Sequence, residues 1–422
     1  MEKFSNRIRS SLYFIIPLLS LIFWSLLYLL FFYKGFRWDF KVWYDAGRQI
    51  LEDPTKLYQV YGFYYTPFLP SIFSISLSLL PPLVAYFIWF FLNYIFGMLM
   101  IREFDKILKL KGVSRISYRL LFLIVISNGW SVYLQFFWNQ TKFLTAFILL
   151  FILRKEIHGR DSNMEKSIKE RILILFLLSI AVSISPYFIF IIFIYIFNNI
   201  EIKQIFKKSN LQTYFIFISI FLLINILFII FPSLLVDFLN GIFKYNEYKK
   251  ELKFIYTIEW LIIPNSWHNY ITIGSIIFLS LITLFLILNK KLTLERRIGL
   301  FVLSYLWFST FARFTDLALF IPFLLLLLIP YISEKDTLIS FLKSNILPLV
   351  GLISVLGLAF GHYDVNDFFE YFPILNIVFL KFIVYMRYAI FLVLFSISIL
   401  FLSLRNSNTF RKNIIIENEE TD

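Results

Sequence analysis

The chain of 422 residues contains no cysteine, which removes disulfides, thiolate metal sites and cysteine nucleophiles together. It has three histidines, His158, His268 and His362, far apart and without the spacing of a metal-binding cluster. Charge is also sparse: 16% of residues are Asp, Glu, Lys or Arg, where soluble domains run near a quarter. The 27 acids against 40 bases leave a formal charge of +13, which raises nucleic acid as a partner. No basic patch with interleaved aromatics stands apart from the apolar runs, so no nucleic-acid partner is expected. No polar stretch is long enough to bury a core of its own, which argues against a separate soluble domain. Internal repeats and low-complexity segments are missing as well.

What is present is apolar. Hydrophobic residues make up 59% of the chain and the mean hydropathy is +0.78. This composition predicts an all-α polytopic membrane protein, one domain over residues 1–422, with about 12 transmembrane helices (about ten to thirteen) and both ends in the cytoplasm. Lys3, Arg7 and Arg9 precede an apolar run at 12–33, read as an uncleaved first span. The loop 34–82 is then extracytoplasmic. Within it, residues 67–80 are too short to cross and read as an interfacial or re-entrant helix, stopped by Pro81-Pro82. A second span at about 83–101 leads to a basic cytoplasmic loop at 102–119. Spans three and four, at 120–137 and 143–153, are joined by a tight turn carrying Asn139-Gln140-Thr141. The polar segment 154–171 is again basic and cytoplasmic.

Residues 172–197 have basic flanks on both sides and are interrupted by Ser183, Ser185 and Pro186. An even number of crossings follows, which a short broken hairpin with an outer tip satisfies. A span at 211–231 opens onto a second large outer loop, 232–268, followed by a span at 270–288. A second interrupted hairpin is predicted at 298–331, with Arg313 and Asp316 in the break. A further span runs to about 360, and a last span ends at a polar cytoplasmic tail, 405–422.

The stretch 35–67, GFRWDFKVWYDAGRQILEDPTKLYQVYGFYYTP, concentrates acids, cations and aromatics just beyond the first span. A carboxylate at a membrane boundary is easier to keep ionised than one at mid-bilayer, so Asp39 suits a base that works beside a lipid-borne substrate. An ordinary polar loop, with its acids paired to Lys34, Arg37, Lys41 and Arg48, is the plainer reading.

The motif order resembles the polyprenol-phosphate-mannose-dependent mannosyltransferases, glycosyltransferase family 87 of the GT-C class. The matching residues are Asp39, Trp43-Tyr44, Ala46, Leu51, Leu57-Tyr58, Tyr65, Pro67 and Leu80-Pro81. Downstream, Asn139-Gln140-Thr141 is similar to the family's Gly-Gln-Thr-Asn turn. Ser185-Pro186-Tyr187 is similar to its Lys-Pro hairpin tip, and Ile263-Pro264-Asn265-Ser266 to its Asn-x-Ser loop. Ser185 stands where the family has lysine. The resemblance implies a GT-C-like helical bundle in the cell membrane whose active face is extracytoplasmic. It implies transfer of a hexose, mannose in the family, from a polyprenyl-phosphate donor to a glycan or lipid-linked acceptor with inversion.

Such a reaction needs little machinery. Phosphate leaves without a general acid, unlike the alkoxide of a glycosidase. It needs a cation for its growing charge and a carboxylate within reach of the acceptor hydroxyl. Under the resemblance Asp39 is the general base; no metal or cofactor is expected. Candidates for the donor phosphate or substrate are Arg313, Arg48, Lys56, Tyr65, Gln140 and His268. Each has a plainer alternative. Arg313 can pair with Asp316, Gln140 can cap a helix, and Trp43, Tyr64, Tyr65, Trp260 and Trp267 can anchor at a membrane interface. Asp45 reads as a helix-surface acid. A transporter or flippase of a lipid-linked saccharide is the other function class, for which charges at mid-bilayer and repeat symmetry are expected; neither is visible.

Overall fold

The computed structural model describes residues 15–26, 38–113, 116–128, 132, 135–136, 140–161, 167–198, 207–248, 268–309, 314–331, 350–355 and 390–402. The described residues are helical, with no strand among them. The helices are α1 (Ile15–Leu26), α2 (Trp38–Glu52), α3 (Phe68–Ser74), α4 (Pro82–Leu110), α5 (Ile116–Ser127), α6 (Lys142–Asp161) and α7 (Ile168–Ile184). They continue with α8 (Ile189–Ile196), α9 (Lys208–Ile224), α10 (Leu227–Ile230), α11 (Ser233–Tyr248), α12 (His268–Leu288), α13 (Leu294–Phe308) and α14 (Phe314–Leu326). Helix α15 is Ile390–Leu402. Among the described helices, α4 is the one long and apolar enough to cross a membrane by length and composition; α1, α15 and parts of α5, α9, α12 and α14 are shorter apolar helices.

Side-chain pairs fix which helix ends lie together. Helix α6 starts beside Asp39, whose Oδ2 accepts from Gln140 Nε2. At its far end Arg154 pairs with Glu103 of α4, and Lys155 with Glu170 in the first turn of α7. Helix α7 therefore starts at the end opposite Asp39. It begins with a capping box: Ser167 Oγ accepts from Glu170 N at 3.2 Å, satisfying one of the orphan donors of the first turn. It runs back to Ser183, whose carbonyl accepts from Thr66 Oγ1 of the first loop at 2.7 Å. The chain breaks at Ser185, passes through a 3₁₀ turn (Pro186–Phe188) and returns as α8. Asn198, just past α8, accepts from Arg297 of α13. The expected broken hairpin is present, with its tip at the Asp39 end.

The second interrupted hairpin is also present. Arg296 of α13 lies over the ring of Tyr331, beyond α14, at 5.7 Å, and Gly299 is tight against Leu327, so α13 and α14 run antiparallel. Asp316 falls within the first turn of α14; Arg313 lies outside the described residues. The aromatic core between the hairpins joins Phe188 to Phe320 at 5.5 Å and Tyr305 to Phe320 at 5.2 Å.

Several expected boundaries move: α6 continues to Asp161 rather than stopping near 153, α7 starts at Ile168 rather than near 172, and α13 starts at Leu294 rather than near 298. Helix α4 continues to Leu110 rather than stopping near 101, so the anticipated basic loop 102–119 is mostly helix. The reason is charge pairing. Glu103 pairs with Lys106 at 2.6 Å and Arg154 at 2.5 Å, and Asp105 with Lys109 at 3.0 Å and Arg119 at 2.7 Å. Arg119, which reads as solvated loop charge in sequence, is a buried partner of Asp105 instead, while Lys106 and Lys109 pair from the partly exposed side. The helix ends in a Schellman motif. Gly112, at φ 77, lets its N–H reach Lys109 O and the Val113 N–H reach Leu108 O, a left-handed turn that glycine adopts without strain.

Candidate functional site

The site grows out of the first loop. Helix α2 places Asp39 in its first turn, where the helix dipole favours negative charge. Most of the helix is packed: Phe40, Trp43, Tyr44 and Ala46 are buried, Trp43 and Ala46 on the same face as Asp39. Helix α3 approaches so closely that a Cβ on Gly47 would sit 2.3 Å from Ser78 Oγ and 2.9 Å from Phe73 Cβ. Two long-range bonds lock this arrangement, Tyr44 Oη to Leu80 O at 2.8 Å and Ser78 Oγ to Tyr44 O at 2.9 Å. Trp43 is covered by Tyr65 and Phe63, with ring centroids at 4.2 and 5.9 Å, so it is core and not a stacking platform. Tyr58 donates to Tyr65 O at 2.8 Å; burial, with help from the Asp237 charge, pushes its phenol well up. Over this unit lies α11, which brings Phe238 to 6.3 Å from Tyr58.

Asn225 ties the unit to the bundle. It is 1% exposed; its Oδ1 accepts from Phe68 N at 3.2 Å, and its Nδ2 donates to Ser183 Oγ at 2.7 Å and Phe221 O at 2.9 Å. One amide thus joins the start of α3, the end of α7 and the end of α9.

The candidates fare differently. Asp39 and Gln140 meet, the amide of one donating to the carboxylate of the other across 101 residues of sequence separation. Among the described residues the partner of Asp39 is a neutral donor. Gln140 is 4% exposed, and its Oε1 is buried with no hydrogen-bond partner among the described residues. Leaving such an acceptor unpaired costs about 1–3 kcal/mol. Arg48 is exposed. Lys56 is exposed too and pairs with Asp53 at 3.0 Å, whose carboxyl is lowered by the Thr55 and Lys56 hydrogen bonds. Tyr65 is spent on packing and on the Tyr58 bond. His268 opens α12, with its side chain outside the described residues, as are Arg313, Trp260 and Trp267 altogether. Asp45 is half-buried and its carboxyl is raised by desolvation, against the pull of Lys41 and Arg48. Among the described residues no three His, Asp or Glu are placed to hold a metal ion.

Two residues enter that sequence reasoning passed over. Lys142, at the first position of α6 and two residues after Gln140, is 5% exposed; a buried cation in an otherwise apolar helix start is the signal that points to it. Ser185 at the hairpin tip is fully buried, and its Oγ has no hydrogen-bond partner among the described residues. Compared with known family models and with curated protein sequences, the chain matches none.

Proposed function

We propose that the chain is a membrane-embedded glycosyltransferase of the GT-C kind, moving a hexose from a polyprenyl-phosphate donor to an extracytoplasmic acceptor hydroxyl. The observation that carries this reading is the bond between Asp39 and Gln140. It joins the two polar residues that the family resemblance picks from separate stretches. A carboxylate held at Oδ2 by an amide keeps Oδ1 for a proton. As the acceptor oxygen attacks the anomeric carbon from the face opposite the phosphate, its proton passes to Asp39. The bond from the anomeric carbon to the phosphate oxygen breaks with both electrons going to phosphate, and the configuration inverts. Lys142, two residues past Gln140 in sequence, is the candidate cation for the departing phosphate; Arg313 keeps its place as the alternative.

Membrane embedding is supported by composition and by outward-facing apolar side chains on several helices, such as Phe91, Phe215 and Tyr270 at 62, 72 and 73% exposure. Water-facing surfaces do not carry such rows of large apolar groups. The decisive experiment uses the full chain in lipid vesicles with a radiolabelled polyprenyl-phosphate hexose and no nucleotide sugar. Asp39→Asn keeps size but cannot take the proton, so transfer should slow at least ~100-fold with donor binding kept. Near-normal turnover of that variant, or strict need for a nucleotide sugar, defeats the reading.

A further inference from the structure

Gln140 has a second group to use. A carboxylate accepts and never donates, so the amide of Gln140 must turn its NH₂ toward Asp39. That choice fixes where Oε1 points, on the far side of the same amide plane. Oε1 is buried and meets no donor among the described residues, although buried polar atoms are nearly always paired. The pair therefore presents two hydrogen-bond acceptors on one hydrogen-bonded unit, Asp39 Oδ1 and Gln140 Oε1, separated by the carboxylate, the hydrogen bond and the amide. Two neighbouring hydroxyl donors complement such a pair, and a single hydroxyl does not.

We propose that Gln140 is a positioning and specificity residue: Nε2 holds the Asp39 carboxylate in one rotamer, and Oε1 receives a hydroxyl adjacent to the one that attacks. The acceptor substrate is then a vicinal diol, as on a sugar ring or a polyol, and not an isolated hydroxyl such as a serine side chain. This rests on the reading of Asp39 as the general base.

The test has two arms on the full chain in vesicles. In the first, protection of Asp39 from a water-soluble carbodiimide at one fixed pH is read by mass spectrometry, and needs no turnover. A hexoside with an intact vicinal diol should protect Asp39 at concentrations about 10- to 100-fold lower than its monodeoxy analogues. The second arm compares kcat/KM for the same acceptors with a polyprenyl-phosphate hexose donor. Wild type should prefer the diol by about 10- to 100-fold, and Gln140→Met should bring that ratio close to one while lowering kcat. Equal protection by diol and deoxy compounds in wild type overturns the inference without reference to any variant. So does a Gln140→Met enzyme that keeps the full preference. Selective protection without transfer would instead sink the glycosyltransferase reading and leave the diol site standing.

Discussion

Replacing Asn225 by alanine tests the architecture beneath the site. Three bonds go, but they do not count equally. Phe221 O also accepts from Asn225 N at 3.1 Å, so it stays satisfied. The Phe68 N–H at the start of α3 loses its Asn225 acceptor at 3.2 Å, and helix-start donors have no intrahelical substitute. Ser183 Oγ loses a donor at 2.7 Å, yet its own hydroxyl can turn to a carbonyl one turn back, as Ser179 Oγ does to Leu175 O at 2.9 Å. One buried group left fully unpaired and one partly so, plus the small void, give about 2–4 kcal/mol of destabilisation. At about 2.1 cal/mol/K per residue, 422 residues turn this into a fall of about 2 to 4 °C in the unfolding midpoint. Ser183→Ala alone should lower it by about 1 °C, and the double variant should be less than additive because the two side chains share a bond. The assay is intrinsic fluorescence on heating at one scan rate, with the same lipid or detergent throughout. A midpoint for Asn225→Ala within about half a degree of wild type, or full additivity in the double variant, refutes the reasoning.

The carboxyl of Asp45 is raised by burial, so the folded state holds its proton more tightly than the unfolded chain and stability falls as pH rises above the ordinary aspartate range. Asp45→Asn should therefore melt higher than wild type at pH 7, with the gap closing as pH approaches 4 in a pair of melting curves, while transfer is little changed. Asp105→Ala, which strands the buried Arg119 guanidinium bound at 2.9, 2.7 and 3.0 Å, should cost about 3–5 kcal/mol. Adding Arg119→Met should recover much of that, and urea unfolding would show it. Lys142→Gln should lower kcat by about 10- to 100-fold with Lys142→Arg partly active; an unchanged kcat would move the phosphate cation elsewhere.

Much of the scaffold is readable from local chemistry. Pro186 with Ser183 and Ser185 announces the break in the first hairpin, and Pro81-Pro82 the start of α4. These signals act within a few residues, so sequence carries them. The ends of α4 and α6 and the start of α7 are harder: the basic residues of 102–119 and 154–171 look like loop charge until Glu103, Asp105 and Glu170 pair with Arg154, Arg119 and Lys155. Gln140 illustrates the same limit from the other side. An amide at a turn caps a helix in most contexts, and only a carboxylate 101 residues away gives it another task. Trp43 and Tyr65 read as interface aromatics, yet they pack against each other in the core, tilted with centroids 4.2 Å apart. Asn225 had no local signature at all: its three partners lie on three elements.

The end of the bundle away from Asp39 is held together by ion pairs between helices. At the end away from Asp39, Glu103, Asp105 and Glu295 each carry a cation, from Arg154, Arg119 and Lys111 respectively. Lys290 adds bonds to Phe197 O and Asn198 O at 2.6 and 3.0 Å. Breaking such a pair by removing one partner is costly, so these contacts hold the helices in register. At the other end the carboxylate of Asp39 is met by an amide, and among the described residues Gln140 Oε1 and Ser185 Oγ have no hydrogen-bond partner. Such groups are not confined to that end: Tyr214 Oη, beside Phe197, is another. An unmatched buried group destabilises the resting fold, and a bound molecule that supplies the missing bond recovers that energy as affinity; under the proposed function that molecule is the substrate at the Asp39 end.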